Sequence, residues 1–273
     1  MNRLDVVEHL TNPEQLVGVY ADESDASIVI DSDTLVYDEN NQLVCAYLKQ
    51  FPADIENLRA ALLNTKIIVD ARAGRVPMKA SSVTFGYLPA IHTRNHPCRV
   101  ASLCRKNTIA HEELMSMTET VADCYLRIAP KIAGSHLSET KTKTLPEYRI
   151  HETMFTSGIV NKSSQLPYHF DSGNFKGAWS AMLGLSKGIA GGNLVLPEYN
   201  LKMAITDKSI CFFDGQKRVH GVTPIYRSDE QAERYTIVWY SLERLWKCLT
   251  HKDEIKRMNA SQTKKNRNKR GDL

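Results

Sequence analysis

Two histidines and one aspartate in this chain have the types and spacing of metal ligands. His169-Phe170-Asp171 places a histidine and a carboxylate two positions apart, and alternate residues of a β-strand point to the same face. A second histidine, His220, follows 51 residues later at the start of another strand-like stretch. Two histidines and one carboxylate on one face of an iron ion leave positions open for other ligands, as in non-haem Fe(II) oxygenases. The three residues therefore predict an iron site.

The H-x-D triplet alone is weak evidence, because the chain contains similar triplets elsewhere. His251-Lys252-Asp253 lies in the basic C-terminal segment, and no histidine follows it. His111-Glu112-Glu113 opens a predicted helix, where residues two positions apart point in different directions. These contexts favour His169 and Asp171.

An arginine downstream of His220 suggests a second ligand of the same site. Arg234 opens the apolar strand predicted over 235–240. A guanidinium there is able to hold the distal carboxylate of 2-oxoglutarate through two parallel hydrogen bonds. Arg218 and Arg227 are the alternatives for this role.

The elements that must position these side chains are short strands. After residue 149, apolar runs of strand length alternate with Gly, Pro, Asn or Asp. The runs cover 154–160, 167–170, 179–185, 193–196, 201–205, 209–213, 219–225 and 235–240. Short strands at this spacing predict a mainly β protein with a double-stranded β-helix (jelly-roll) core over 147–246.

The first half of the chain predicts an α+β extension over 1–146 that packs on this core. Short apolar runs over 14–48 indicate strands, with a hairpin turn at 38–41. A short helix is expected after Pro52, and apolar residues three and four apart predict a long helix over 108–132. A polar connector is expected over 134–146.

Composition and charge place further limits on the class of protein. The 273 residues are 42% hydrophobic and 24% charged, which excludes a disordered, collagen-like or coiled-coil chain. The net charge of +4 is concentrated in 247–273, where nine Lys and Arg stand against three acids. This segment is predicted to be a disordered tail that attracts phosphates. The basic loop with His92, Arg94 and His96 is a second candidate for phosphate contact, but the sequence favours a solvated loop there.

The cysteines and the lack of long apolar runs indicate a compartment. Six scattered cysteines without a C-x-x-C pair predict reduced thiols, and no run is long enough for a membrane span. We therefore expect a cytoplasmic protein of a bacterial or phage-infected cell, or a nuclear one if the source is eukaryotic. No obligate protein partner is evident from the sequence.

Several motifs around the predicted ligands resemble those of the TET/JBP group of Fe(II)/2-oxoglutarate dioxygenases, which oxidise pyrimidine methyl groups in nucleic acid. They are Phe155-Thr156-Ser157-Gly158-Ile159-Val160-Asn161, His169-Phe170-Asp171-Ser172-Gly173-Asn174, Gly191-Gly192-Asn193-Leu194-Val195-Leu196-Pro197, His220-Gly221-Val222-Thr223, Glu233-Arg234-Tyr235 and, upstream, Phe85-Gly86-Tyr87-Leu88-Pro89 with Cys98-Arg99-Val100. The resemblance covers roughly residues 80–245.

The resemblance implies a role for each candidate residue. His169, Asp171 and His220 would hold Fe(II), Arg234 would anchor 2-oxoglutarate, and Asn161 would contact cosubstrate or substrate. The enzyme implied uses Fe(II), 2-oxoglutarate and O2 to hydroxylate the 5-methyl group of thymine or 5-methylcytosine in DNA. The chain departs from the family pattern at 162–166 and at Asn174, where an aspartate is common.

These departures leave two other functions open. One is an Fe(II)/2-oxoglutarate hydroxylase of a protein side chain or small molecule, and the other is a barrel that binds nucleic acid without turnover. Phe175 and Trp179 remain candidates for either the pocket wall or the core, whereas Phe170 should point away from the metal.

Overall fold

The computed structural model describes residues 1–72 and 78–270. Among these residues the strands, numbered in chain order, are β1 (Asn2–Asp5), β2 (Ile28–Ile30), β3 (Thr34–Tyr37), β4 (Leu43–Leu48), β5 (Val69–Arg72), β6 (Met78–Leu88), β7 (Arg99–Val100), β8 (Ser157–Lys162), β9 (Ser180–Lys187), β10 (Ile189–Gly191), β11 (Leu194–Leu196), β12 (Leu201–Met203), β13 (Ile210–Phe213), β14 (Gly221–Val222), β15 (Ile225–Arg227) and β16 (Glu233–Tyr240). The α-helices are α1 (Glu56–Leu63), α2 (Leu103–Lys106), α3 (Thr108–Ile128), α4 (Pro130–Lys143) and α5 (His251–Arg270). None of the described helices is both long and apolar enough to cross a membrane.

Most strands belong to a large sheet and a smaller one packed against it. The large sheet has the order β1-β3-β4-β13-β9-β16-β8-β6-β5, with β7 also paired to β6. The smaller sheet has the order β14-β11-β12-β2, and a backbone bridge between His169 and His220 extends it beyond β14. Strands β10 and β15 form a separate pair. Two packed sheets of this kind form the predicted jelly roll, and the mainly β fold class is confirmed.

Alternation along the central strands decides which side chains face the interior of the barrel. On β16, Ile237 and Trp239 belong to the core that the helices cover, which also contains Tyr125 of α3. Thr236 and Val238 lie between them in sequence and line a pocket on the other face. Because strand side chains alternate between faces, one strand contributes both to the helix-side core and to the interior.

The N-terminal strands, which the sequence assigns to an extension packed on the core, contribute to both sheets. Strand β4 pairs with β13 in the large sheet, and β2 runs parallel to β12 in the smaller sheet. The hairpin of β3 and β4 was predicted, and so was the helix α1. The partners of β2 and β4, which are β12 and β13, lie more than 150 residues away in sequence. No local sequence pattern specifies such a pairing.

Helices α3 and α4 replace the single long helix and the polar connector expected over 108–146. Helix α3 ends at Ile128 because Ala129 (φ −130°, ψ 61°) leaves the helical region directly before Pro130. The residue before a proline is disfavoured in helical conformation, whereas proline is well tolerated in a first turn. Pro130 therefore ends one helix and begins the next.

The C-terminal segment is helical over His251–Arg270, which corrects the prediction of a disordered tail. The Thr250 hydroxyl donates to the Asp253 carboxylate (2.8 Å), and the Asp253 amide donates back to that hydroxyl (3.3 Å). Glu254 is fully buried and accepts hydrogen bonds from the amides of Cys98 (3.2 Å) and Leu249 (3.1 Å). These contacts stabilise the first turns, and the one to Cys98 joins residues 156 positions apart, which composition alone does not reveal.

One pair of cysteines forms a disulfide, which corrects the expectation of six reduced thiols. Cys98 and Cys248 are joined across 150 residues of sequence, with their Cα atoms 6.0 Å apart. Cys45, Cys104, Cys124 and Cys211 are free. The two bonded cysteines and Glu254 lie close enough to be considered as a metal site, but the disulfide occupies both sulfur atoms.

Candidate active site

The three predicted ligands come together at one edge of the smaller sheet. His169 and His220 lie opposite each other and exchange backbone hydrogen bonds of 2.9 and 3.1 Å, and their ring centroids are 4.3 Å apart. The Asp171 amide donates to the Gly215 carbonyl (2.8 Å), which fixes the carboxylate beside both rings. One ligand atom from each of the three residues lies within 4.8 Å of the other two.

Backbone carbonyls orient both imidazole rings. Nδ1 of His169 lies 2.8 Å from the Pro167 carbonyl, and Nδ1 of His220 lies 3.0 Å from the Arg218 carbonyl. A carbonyl only accepts hydrogen bonds, so each Nδ1 carries the proton and each Nε2 presents a lone pair. Both Nε2 atoms lie 3.8 Å from Oδ1 of Asp171. Two neutral imidazole nitrogens and a carboxylate oxygen therefore converge as a divalent metal requires.

A chain of two hydrogen bonds supports the carboxylate of Asp171. The Asn174 side-chain amide donates to the Ser180 hydroxyl (3.0 Å), and this hydroxyl lies 3.4 Å from Oδ2 of Asp171. Because the amide N–H occupies a lone pair of Ser180, the hydroxyl proton is directed to Asp171. Gly215 leaves room for this arrangement, since a Cβ there would lie 2.4 Å from Oδ2.

Arg234 points into the interior from the same face of β16 as Thr236 and Val238. The residue is 1% exposed, and its Nη2 donates to the Gly192 carbonyl (2.6 Å). Nε and Nη1 are buried and have no hydrogen-bond partner among the described residues. Burial lowers the pKa of Arg234 to about 10. A buried cation with unused donors fits the carboxylate of a bound ligand such as 2-oxoglutarate.

The two alternative arginines have other partners. Arg218 donates to the Glu198 carboxylate (2.6 Å), and Arg227 donates to the carbonyls of Glu230 (2.8 Å) and Ala232 (2.7 Å). Of the three arginines that the sequence offered, Arg234 is the one whose donors are available inside the barrel.

A pocket connects the ligands with the inner face of the large sheet. Asn161 lies in its wall on β8, is 4% exposed, and donates from Nδ2 to the Thr236 hydroxyl (3.3 Å). The other lining residues are Ile159, Ser164, Leu166, His169, Asp171, Met182, Leu194, Phe213, His220, Val222, Thr236, Val238 and Tyr240. The wall is mostly apolar, with a few polar groups at defined positions, as in pockets that bind small ligands.

The remaining sequence candidates lie outside this pocket. Trp179 stacks on Tyr125 in the helix-side core, and Phe175 packs edge-on against Trp246, so both belong to the protein interior. Phe170 packs with the cluster of Tyr168 on the side away from the metal ligands, as strand parity predicted. Sequence reasoning did not identify Ser164, Ser180 and Thr236, because single hydroxyl residues on strands carry no distinguishing pattern.

The two-sheet barrel is a jelly roll, and two histidines with one aspartate directed at one point are the type of ligand set that non-haem iron oxygenases use. Residues 86–243 match the family model Tet_JBP, described as the oxygenase domain of the 2OGFeDO superfamily. The chain belongs to this family, which confirms the resemblance of the sequence motifs.

Curated relatives and a solved structure agree with this assignment. The chain is 28% identical over 108 residues to the bifunctional helicase and thymine dioxygenase JBP2 of Trypanosoma brucei brucei, covering 40% of this chain and 10% of the relative. It is 22% identical over 213 residues to thymine dioxygenase JBP1 of Leishmania infantum, covering 76% of this chain and 25% of the relative. The chain thus spans a quarter or less of the length of these relatives.

The structure of NgTET1 in complex with 5mC DNA superposes with a TM-score of 0.60 at 13% identity, covering 85% of this chain and 86% of the other. This similarity shows a common fold.

Proposed function

We propose that this chain is an Fe(II)- and 2-oxoglutarate-dependent dioxygenase that hydroxylates the 5-methyl group of thymine or 5-methylcytosine in DNA. One observation carries the proposal: Arg234, with two buried unpaired donors, shares a strand face with the pocket that contains the converging His169, Asp171 and His220. The arrangement supplies the metal ligands and the carboxylate anchor that this chemistry needs.

The chain's own contribution is binding and orientation. Bound Fe(II) and 2-oxoglutarate supply the activation of dioxygen and the oxidising power for attack on a C–H bond. His169 and His220 hold their lone pairs toward the metal through the bonds to Pro167 and Arg218. Arg234 neutralises and aligns the distal carboxylate of the cosubstrate.

The pocket wall offers a substrate an apolar surface and a few polar groups. Leu166, Val222 and Val238 provide an apolar lining around the ligands, whereas Asn161 and Ser164 present an amide and a hydroxyl. An apolar surface with few polar groups suits a methylated pyrimidine, whose edges form hydrogen bonds. A base in duplex DNA must leave the stack to reach such a pocket.

The names of relatives support the same substrate class. The two curated relatives are named as thymine dioxygenases, and the solved structure contains DNA with 5mC. These names support a pyrimidine methyl group as the target, and both thymine and 5-methylcytosine carry one at C5.

Cosubstrate binding is tested by anaerobic titration of the chain with Fe(II) and 2-oxoglutarate, observed through the visible charge-transfer band of the chelate. Arg234→Ala should weaken 2-oxoglutarate binding at least about tenfold, because hydrogen bonds to a charged group are lost. Arg227→Ala is the matched control and should bind as wild type does. Absence of the band at saturating metal would refute the oxygenase assignment.

The substrate is tested by measuring succinate release with DNA containing thymine, DNA containing 5-methylcytosine, and peptides. Release stimulated by one of the DNAs, with hydroxymethylpyrimidine detected by mass spectrometry, supports the proposal. Stimulation by peptide alone would assign the chain to the protein hydroxylases. Failure to bind iron or 2-oxoglutarate, together with retained DNA binding, would indicate a barrel that recognises nucleic acid without turnover.

A further inference from the structure

We propose that α5 and the loop 92–96 together form a surface that binds the sugar–phosphate backbone of double-stranded DNA next to the metal end of the barrel. The choice of DNA over other phosphodiesters rests on the proposed function. The charge and the placement of the surface are independent of it. We call this pair of segments the basic arm.

The net charge of the basic arm is positive. Helix α5 contains eight Lys and Arg and two acids, Asp253 and Glu254. Asp253 is bonded to Thr250 and to Lys256 (3.2 Å), and Glu254 is buried and bonded to Arg257. From residue 255 to residue 270 the helix carries no acid, while Lys and Arg recur along it. A run of this kind attracts phosphates irrespective of base sequence.

The loop adds further basic side chains beside the helix. Nη1 of Arg257 lies 2.9 Å from Nδ1 of His92, and the Asn95 side chain donates to the Met258 carbonyl (3.2 Å). His92, Arg94 and His96 are exposed. Arg94 adds a positive charge beside those of α5, and a bound polyanion would be attracted to both segments.

A continuous series of contacts places the basic arm at the metal end of the barrel. Three residues after the ligand Asp171, Asn174 pairs with Leu242, and the Glu243 amide donates to the Gly173 carbonyl (3.2 Å). Arg244 then donates to the Ala90 carbonyl (3.1 Å), next to the loop. The disulfide between Cys98 and Cys248 fixes the start of the arm to the same region.

The dimensions and composition of α5 favour DNA over a membrane. Twenty residues of α-helix extend about 30 Å, close to one turn of duplex DNA at roughly 34 Å. An interfacial helix requires a broad apolar face, whereas beyond Met258 the only apolar residue of this helix is Ala260. A basic polar helix of this length matches a line of phosphates.

The test is the salt dependence of binding to a labelled 30-base-pair duplex, measured by fluorescence anisotropy. The double variant Lys252→Gln with Lys256→Gln should bind DNA more weakly. The negative slope of log K against log salt should become shallower by up to about 2, since each lost phosphate contact removes about 0.9. Lys49→Gln with Lys187→Gln is the matched control, because both lysines are exposed and lie at the strand ends away from the metal. A further variant replaces the five bases between 264 and 270 with Gln and should lose most of the remaining affinity.

Several outcomes would overturn the proposal. They are an unchanged slope in both α5 variants, an equal loss in the control pair, tighter binding to anionic phospholipid vesicles than to DNA, or a preference for duplex RNA of the same sequence. Iron and 2-oxoglutarate titrations on the same variants separate this proposal from the proposed function. If the variants bind both normally but lose DNA, the basic arm is supported; if wild type binds DNA through the arm but oxidises no base, the proposed function alone fails.

Discussion

At the scale of single residues, the proposed metal site depends on hydrogen bonds from residues other than His169, Asp171 and His220. The protons on Nδ1 of both histidines are held by main-chain carbonyls, which no side-chain substitution removes directly. The carboxylate of Asp171 differs, because its outer oxygen depends on the side chains of Ser180 and Asn174. The aspartate is therefore the ligand most open to perturbation by mutation of its neighbours.

Ser180→Ala should weaken Fe(II) binding by roughly 10-fold or more, the range measured when outer hydrogen bonds to metal ligands are removed. Equilibrium dialysis of Fe(II) under anaerobic conditions measures this change without turnover. Ser186→Ala, near the other end of the same strand, is the control and should leave the affinity unchanged. Equal affinity in Ser180→Ala and wild type would show that Ser180 does not orient Asp171.

His136 should make the fold sensitive to acid. It is 2% exposed, its Nε2 bonds to the Ser241 hydroxyl (2.8 Å), and burial lowers its pKa to about 3 from the usual 6.5. In the unfolded chain His136 binds a proton below about pH 6.5, whereas in the folded chain it stays neutral down to about pH 3. The contribution of His136 to the free energy of unfolding is therefore fully present above pH 6.5 and falls as the pH drops toward 3. The loss is on the order of 1 kcal/mol per pH unit.

Urea unfolding at pH 7, 6 and 5 measures this dependence. His136→Asn should be less stable at pH 7 and should show a flatter pH dependence than wild type. His9→Asn, a change at an exposed histidine, should preserve the wild-type slope. An identical slope in wild type and His136→Asn would contradict the assignment.

At the scale of elements, the alternation of side chains between the two faces of β16 could be predicted from the sequence, whereas the ends of the helices could not. The two-residue period of a strand places Arg234 on the face of Thr236 and Val238, and this can be derived from the sequence alone. Pro130 was visible as well, but the helical periodicity continues past it, so the break between α3 and α4 depends on local backbone geometry. Sequence patterns give the face of an element more reliably than its limits.

Gly192→Ala should displace Arg234 and weaken 2-oxoglutarate binding at least about tenfold while Fe(II) binding persists. Gly192 has φ +67°, and a Cβ there would lie 2.6 Å from Nε of Arg234. Titration of 2-oxoglutarate into the anaerobic Fe(II) complex measures the effect. Gly177→Ala is a matched control, since Gly177 has φ +79° and no atom within 4 Å of an added Cβ. An equal loss of 2-oxoglutarate affinity in both variants would show that backbone strain, and not contact with Arg234, causes the effect.

At the scale of the whole molecule, long-range pairings account for what the sequence did not predict. The order of His169, Asp171 and His220 along the chain predicted a common site, and the folded chain brings the three side chains together. The insertion of β2 and β4 into the two sheets, the Cys98–Cys248 disulfide and the burial of Glu254 each join residues more than 140 positions apart. No local pattern encodes such contacts, so they emerge only from the folded chain.

Removing the disulfide should destabilise the whole fold. A bond that closes a loop of this length restricts the unfolded chain, and loss of a native disulfide costs about 2–5 kcal/mol. Guanidinium unfolding of Cys98→Ser with Cys248→Ser, compared with wild type, measures the difference. Cys104→Ser changes a free thiol and should have little effect. Wild-type stability in the double variant would show that Glu254 and its hydrogen bonds suffice to hold α5.

The disulfide also makes residues 98–248 a covalent ring, and His169, Asp171, His220 and Arg234 all lie within it. A protease that cuts one peptide bond inside the ring, for example in the exposed turn at 228–231, opens the ring without dividing the molecule in two. Such nicked protein would migrate as a single species on a non-reducing gel and as two fragments after reduction, with His220 and Arg234 on different fragments.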